Sequence, residues 1–130
     1  MNHTDINGII KLKACIAVFM GLSYKVEIDF LRGKAEYEIL EGLYAEPAKE
    51  TIYLIPEKMN KLIDNLKNMD MLNWQSRYEN FNVLDGTSWV VEISIKGNNH
   101  LFEGSNAYPN QWDRFCKALE EALGKDFRQS

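Results

Sequence analysis

The run YKVEIDFLRGKAEYEIL, residues 24–40, leaves little choice of fold. Apolar and charged residues alternate on both sides of the Arg-Gly-Lys triplet at 32–34, and a period of two is the pattern of a strand with one face buried. Tyr24, Val26, Ile28 and Phe30 share one side, while Lys25, Glu27 and Asp29 share the other. After the triplet, Ala35, Tyr37 and Ile39 repeat the inward set opposite Glu36 and Glu38. A helix would scatter these residues around its girth. Two antiparallel strands joined by a tight turn put every apolar one on the same side.

Such a ribbon must bury that side, and the flanking sequence supplies both more sheet and its cover. Residues 9–20 are almost wholly apolar, with Leu12, Ala14, Ile16 and Val18 on one side. The same region resembles a secretory leader in part, because Lys11 and Lys13 precede the nine apolar residues of ACIAVFMGL. Asp5 lies in what would be the basic segment, no A-x-A cleavage site follows, and the run is too short to cross a bilayer. It is therefore read as a core strand of a cytoplasmic protein. The loop YAEPAKE at 44–50 leads to a short strand, TIYLI, ending at Pro56. Proline at the first helical position has no N–H to leave unpaired, so a helix starts there. Its apolar stripe is Met59, Leu62, Ile63, Leu66 and Met69.

Trp74 and Tyr78 then pack together, on either a short helical turn or an irregular segment, and Asp85-Gly86 marks a turn. Trp89, Val91, Ile93 and Ile95 form one face of the next strand; GNN at 97–99 turns the chain and HLFEG returns. A last helix starts near Pro109, carries the stripe Trp112, Phe115, Cys116, Leu119, Ala122 and Leu123, and ends at Gly124, ahead of a polar tail, KDFRQS. The expected class is α+β: an antiparallel meander of about six strands with two amphipathic helices packed on it, in the order β-β-β-(β)-α-β-β-α. One domain accounts for all 130 residues.

Composition narrows the chemistry. A net charge of -4 disfavours phosphate-backbone binding, which depends on an excess of Lys and Arg, so nucleic acid is an unlikely partner. Cys15 and Cys116 lack CxxC spacing and read as reduced thiols, and His3 and His100 stand alone. No zinc or other metal site is expected, and no cofactor: a single glycine in GSN at 104–106, without a Walker lysine, makes a poor phosphate loop. No nucleophile has an adjacent base. The paired acids Glu27/Asp29 and Glu36/Glu38 read as the solvated side of strands rather than as general acid and base. GSNAYP itself reads as a rigid strand-to-helix corner. Gly104 sits where a bulky side chain will not fit, Ser105 and Asn106 bond nearby backbone, and Tyr108 packs ahead of the helix.

Trp74 and Tyr78, then DGTSW at 85–89, then GSNAYP at 104–109 before an amphipathic helix form an ordered set that resembles a group of small bacterial domains. Small acidic proteins of this build are similar to the immunity proteins of contact-dependent growth inhibition systems. The resemblance implies a non-enzymatic inhibitor that binds a cognate toxin domain, such as a nuclease, and blocks its active site. Acidic residues would complement a basic cleft. The exposed candidates are Glu27, Asp29, Glu36, Glu38, Glu41 and Glu46. Two other readings stay open: a small-ligand or single-stranded nucleic-acid binding module using the sheet face, and an enzyme whose site is dispersed in sequence.

Overall fold

A computed structural model describes residues 5–18, 21–42, 46–80 and 86–128. His3, the end of the apolar run at 19 and 20, the start of the loop at 44 and 45, Asp85 of the Asp-Gly turn, and Gln129 and Ser130 of the tail lie outside the described residues. The chain is α+β. Its strands are β1 (Ile9–Val18), β2 (Leu22–Asp29), β3 (Lys34–Glu41), β4 (Ala48–Tyr53), β5 (Arg77–Glu79), β6 (Thr87–Ile95) and β7 (Asn98–Ser105). Two helices, α1 (Pro56–Asn68) and α2 (Trp112–Leu123), pack on the sheet.

The strands form one sheet in the order β4-β3-β2-β1-β6-β7-β5. Every neighbouring pair is antiparallel except β5 and β7, which run parallel. The alternating ribbon is β2–β3, with Val26 opposite Tyr37 and Glu27 opposite Glu36. Its turn is closed by Asp29, whose Oδ1 accepts from Leu31 N–H at 3.0 Å and Arg32 N–H at 3.1 Å. β1 is central and joins the two halves of the chain, pairing β2 on one side and β6 on the other. A bulge between Ile9 and Lys11 shifts its register, so Ile9 and Leu12, an odd number of residues apart, are both buried.

Several expectations change in detail. Among the described residues the sheet has seven strands, not about six, because the stretch at Trp74, read as either a helical turn or an irregular segment, becomes a 3-10 turn (Met71–Asn73) followed by β5. β4 begins at Ala48, inside the expected loop at 44–50, because Ala48 already pairs with Ile39. The β6–β7 hairpin turns on Lys96 and Gly97, one residue earlier than GNN, since Asn98 pairs with Ile95. α2 starts at Trp112, and Pro109 instead heads a turn, its carbonyl accepting from Trp112 N–H at 3.1 Å.

The core lies on one face of the sheet, between it and the helices. Leu12, Val26, Ile28, Trp89, Val91 and Ile93 meet Leu62 and Leu66 of α1 and Phe115 and Leu119 of α2 there. All the expected α2 stripe is buried, and Gly124 ends the helix with φ 68° and an N–H bonded to the Glu120 carbonyl at 2.8 Å. The segment after Gly124 is not a free polar tail. Phe127 is fully buried, 6.4 Å from the ring centres of Tyr24 and Phe115, and its N–H donates to Glu120 Oε2 at 3.1 Å. Tyr37 donates its hydroxyl to the Asp126 carbonyl and so ties the C-terminus to β3.

Candidate functional site

The opposite face of the sheet is left bare among the described residues, and its side chains follow from the register. One row crosses the sheet as Thr51, Glu36, Glu27, Lys13, Glu92 and Leu101. The next row is Lys49, Glu38, Lys25, Cys15, Val90 and Glu103. Like charges directly opposite repel, so the Glu27–Glu36 pair needs cations nearby. Lys11 Nζ lies 3.1 Å from Glu27 Oε1, Lys34 Nζ lies 3.4 Å from Glu36 Oε1, and Thr51 donates its hydroxyl to Glu36 Oε2 at 2.9 Å. At the far edge Arg77 forks onto Glu103 Oε1 at 2.7 and 3.1 Å, which holds the guanidinium above its usual range.

The six expected acids therefore divide. Glu27, Asp29, Glu36 and Glu38 share the bare face, and three of them border a shallow depression of about 230 Å³ between Lys25 and Lys49. Asp29 serves the β2–β3 turn and lies 3.6 Å from Arg32. Glu41, at the end of β3, has the strand parity of Tyr37 and Ile39 and belongs to the other face; Glu46 is exposed in the segment before β4. The face mixes both signs rather than presenting one acidic field. Apolar side chains interrupt it, among them Val90 at 41% and Leu101 at 52% exposure. Cys15, at its centre, is half buried; that burial raises its pKa, against a lowering by Lys25, so it stays a thiol at neutral pH. Cys116 is buried in α2, and burial pushes its thiol up to about 12.

The corner at GSNAYP is built around Trp89. A Cβ on Gly104 would lie 2.2 Å from Trp89 Nε1, so only glycine lets the indole cross the strand. Nε1 donates to the Ala107 carbonyl at 2.9 Å, and the ring meets Tyr78, Tyr108 and Trp112 at centroid distances of 5.8, 6.5 and 4.6 Å. Asn106 bonds backbone, as expected, but on the neighbouring strand β6. It adopts φ 57° and exchanges two bonds with Thr87 across the sheet, its N–H to the Thr87 carbonyl at 3.0 Å and Thr87 N–H to its Oδ1 at 3.1 Å. Trp74 and Tyr78 do not stack together: Trp74 packs edge-on against Phe102 and Phe115, while Tyr78 turns to Trp89. β5 separates them by giving Tyr78 a place opposite Gly104.

Beside this corner is a cleft of about 390 Å³ that the sequence did not disclose. The end of α1 and the turn after it supply Asp70, Asn73, Trp74 and Gln75; the approach to α2 supplies Tyr108, Asn110 and Gln111. Asp70 takes the left-handed conformation, φ 51°, and its Oδ1 accepts from Asn73 Nδ2 at 2.8 Å. Tyr78, also in the wall, accepts the Gln75 N–H on its hydroxyl at 2.9 Å. Among the described residues no three of His, Cys, Asp and Glu are grouped to hold a metal, and no helix is long and apolar enough to cross a membrane. Compared with known proteins, the chain matches no family model and no curated sequence.

Proposed function

We propose that the chain is an immunity-type inhibitor, which binds one cognate bacterial toxin domain in the cytoplasm and blocks its active site without turnover. The bare sheet face carries this reading. Six inter-strand spacings of about 4.8 Å, and strands of about eight residues at about 3.3 Å each, give it roughly 800 Å². That is about the area one partner contributes to a stable protein complex. Its charges, of both signs, sit on a fixed lattice, which suits a partner of matching pattern and rejects others by like-charge contact. Val90 and Leu101 supply apolar area within it. The ordered tryptophan, DGTSW and GSNAYP motifs support the same reading through their resemblance to immunity-type domains.

The toxin-like C-terminal domain of a secreted protein encoded next to this chain is the partner to test. Co-expression should give a one-to-one complex and protect cells from that domain. Glu36→Lys with Glu38→Lys should weaken the complex by about ten- to a hundredfold, with an unchanged melting temperature, because exposed charges act on association more than on folding. Absence of both binding and protection for every neighbouring toxin domain rejects the proposal. Full affinity in the doubly reversed variant rejects the bare face as the interface.

A further inference from the structure

The cleft between the end of α1 and the start of α2 lies on the helix side of the sheet, away from the face assigned to a protein partner, and its chemistry is different. Its lining has one carboxylate, Asp70, and no lysine, arginine or histidine. An anion would find no counter-charge there. Side-chain amides dominate instead, from Asn73, Gln75, Asn110 and Gln111. Each offers a donor and an acceptor in one plane, and so does a pair of neighbouring hydroxyls on a sugar ring.

Aromatic walls complete the arrangement. Tyr108 is 40% exposed and lies near-parallel to Trp89, with an interplanar angle of 17°, so that one ring face is turned to the core. Tyr108 also packs on Trp112. A partly exposed aromatic ring beside amide side chains suits the C–H face of a pyranose. Trp74 adds the decisive group. The residue is about nine-tenths buried, its indole belongs to the cleft wall, and its Nε1 is buried without an acceptor. Buried donors are almost always bonded, so an unpartnered one beside a cleft marks a place for a ligand oxygen.

We propose that this cleft binds a neutral saccharide, with Tyr108 under the ring, Asp70 and Asn73 on its hydroxyls, and Trp74 Nε1–H donating to a ring or hydroxyl oxygen. The three tryptophan indole N–H signals of ¹⁵N-labelled protein provide the test, with Trp74→Phe assigning the relevant one. Glucose, N-acetylglucosamine, cellobiose and chitobiose are titrated, with inorganic phosphate and the peptide N-acetyl-Gly-Asn-Gly-amide as contrasting probes. At least one saccharide should move the Trp74 signal along a saturable curve, with Kd of about a millimolar or tighter. The Trp89 signal, already committed to Ala107, should move far less. Asn73→Ala, at an exposed position, and Tyr108→Ala should each weaken that saccharide about tenfold or more. Since Tyr108 also packs on the core, Asn73→Ala decides if Tyr108→Ala does not fold. No response to any saccharide up to about 50 mM, far above a millimolar Kd, overturns the proposal. So does a response to phosphate or the peptide in their place, or one that survives Asn73→Ala unchanged.

Discussion

Gly104→Ala adds one methyl group, and the geometry makes it a severe change. The new Cβ would stand 2.2 Å from Trp89 Nε1, 2.5 Å from its Cε2 and 2.7 Å from the Ala107 carbonyl oxygen. Carbon contacts are comfortable at about 3.5–4.0 Å, so the indole must withdraw by about 1 Å or more. It has nowhere to go: Trp89 is 1% exposed and hemmed by Tyr78, Tyr108 and Trp112. Overpacking of this kind costs about 1–3 kcal/mol, and separating Nε1 from Ala107 leaves a buried donor unpaired at about 1–3 kcal/mol more. The two together give a loss of about 2–6 kcal/mol. At about 3–5 °C per kcal/mol for a chain of this size, the melting temperature falls by about 6–30 °C.

Urea unfolding followed by tryptophan fluorescence and by circular dichroism measures this directly, as a lower midpoint at constant slope. Trp89→Leu removes both the crowded ring and the donor. In that background Gly104→Ala should cost about 1–2 kcal/mol less than in the parent, the remainder being the clash with Ala107. Stability of Gly104→Ala within about 0.5 kcal/mol of the parent would refute the close approach, since that is the scale of a surface substitution. An equal loss in both backgrounds would show that the indole is not what the methyl group meets.

Phe127→Ala should destabilise by about 3–5 kcal/mol, as truncation of a buried aromatic does, and calorimetry will show no such loss if the C-terminal segment is a free tail. Alkaline pH should unfold the protein ahead of ordinary base denaturation. Burial pushes the Tyr37 hydroxyl up to about 12, with the charges of Tyr24, Asp126, Glu50 and Glu120 adding to it, and burial does the same for the Cys116 thiol. In the unfolded chain these groups ionise near 10 and 9, so the folded state holds its protons longer. Their contribution is complete below about pH 9 and is lost as pH rises to about 12. Urea midpoints measured from pH 7 upward should therefore fall above about pH 9, less steeply in Tyr37→Phe; a flat profile contradicts the burial.

Where local patterns and tertiary pairing agree, the residues were readable in advance. Val26, Tyr37, Trp89 and Leu119 face inward because strand and helix periodicities leave them no other side, and the structure buries all four. The difficulties begin where a distant element decides the outcome. Arg77–Glu79 carries little strand pattern of its own and becomes β5 only because β7 offers a free edge, with Glu103 to bind Arg77. Phe127 sits among charged residues, yet an apolar residue just beyond a left-handed glycine cap commonly folds back on its helix, and that signal was available. Of the six acids proposed for an interface, strand parity placed Glu27, Asp29, Glu36 and Glu38 together. The cleft was illegible because its walls come from two elements far apart in sequence, and an amide in a turn looks the same whether or not it faces a cavity.

The central position of β1 also governs the order in which the molecule can assemble. Its partner on one side, β2, follows at once in the chain, but its other partner, β6, arrives only after β2, β3, β4, α1 and β5 have been made. Until then Leu12, Ala14 and Ile16 belong to a strand with a naked hydrogen-bonding edge in the middle of the future sheet. Long-range pairing of this kind slows folding and exposes an edge to other chains in the interval. A fragment ending before Thr87 keeps that edge permanently, so the first four strands and α1 on the ribosome are half of a sheet waiting for its seam.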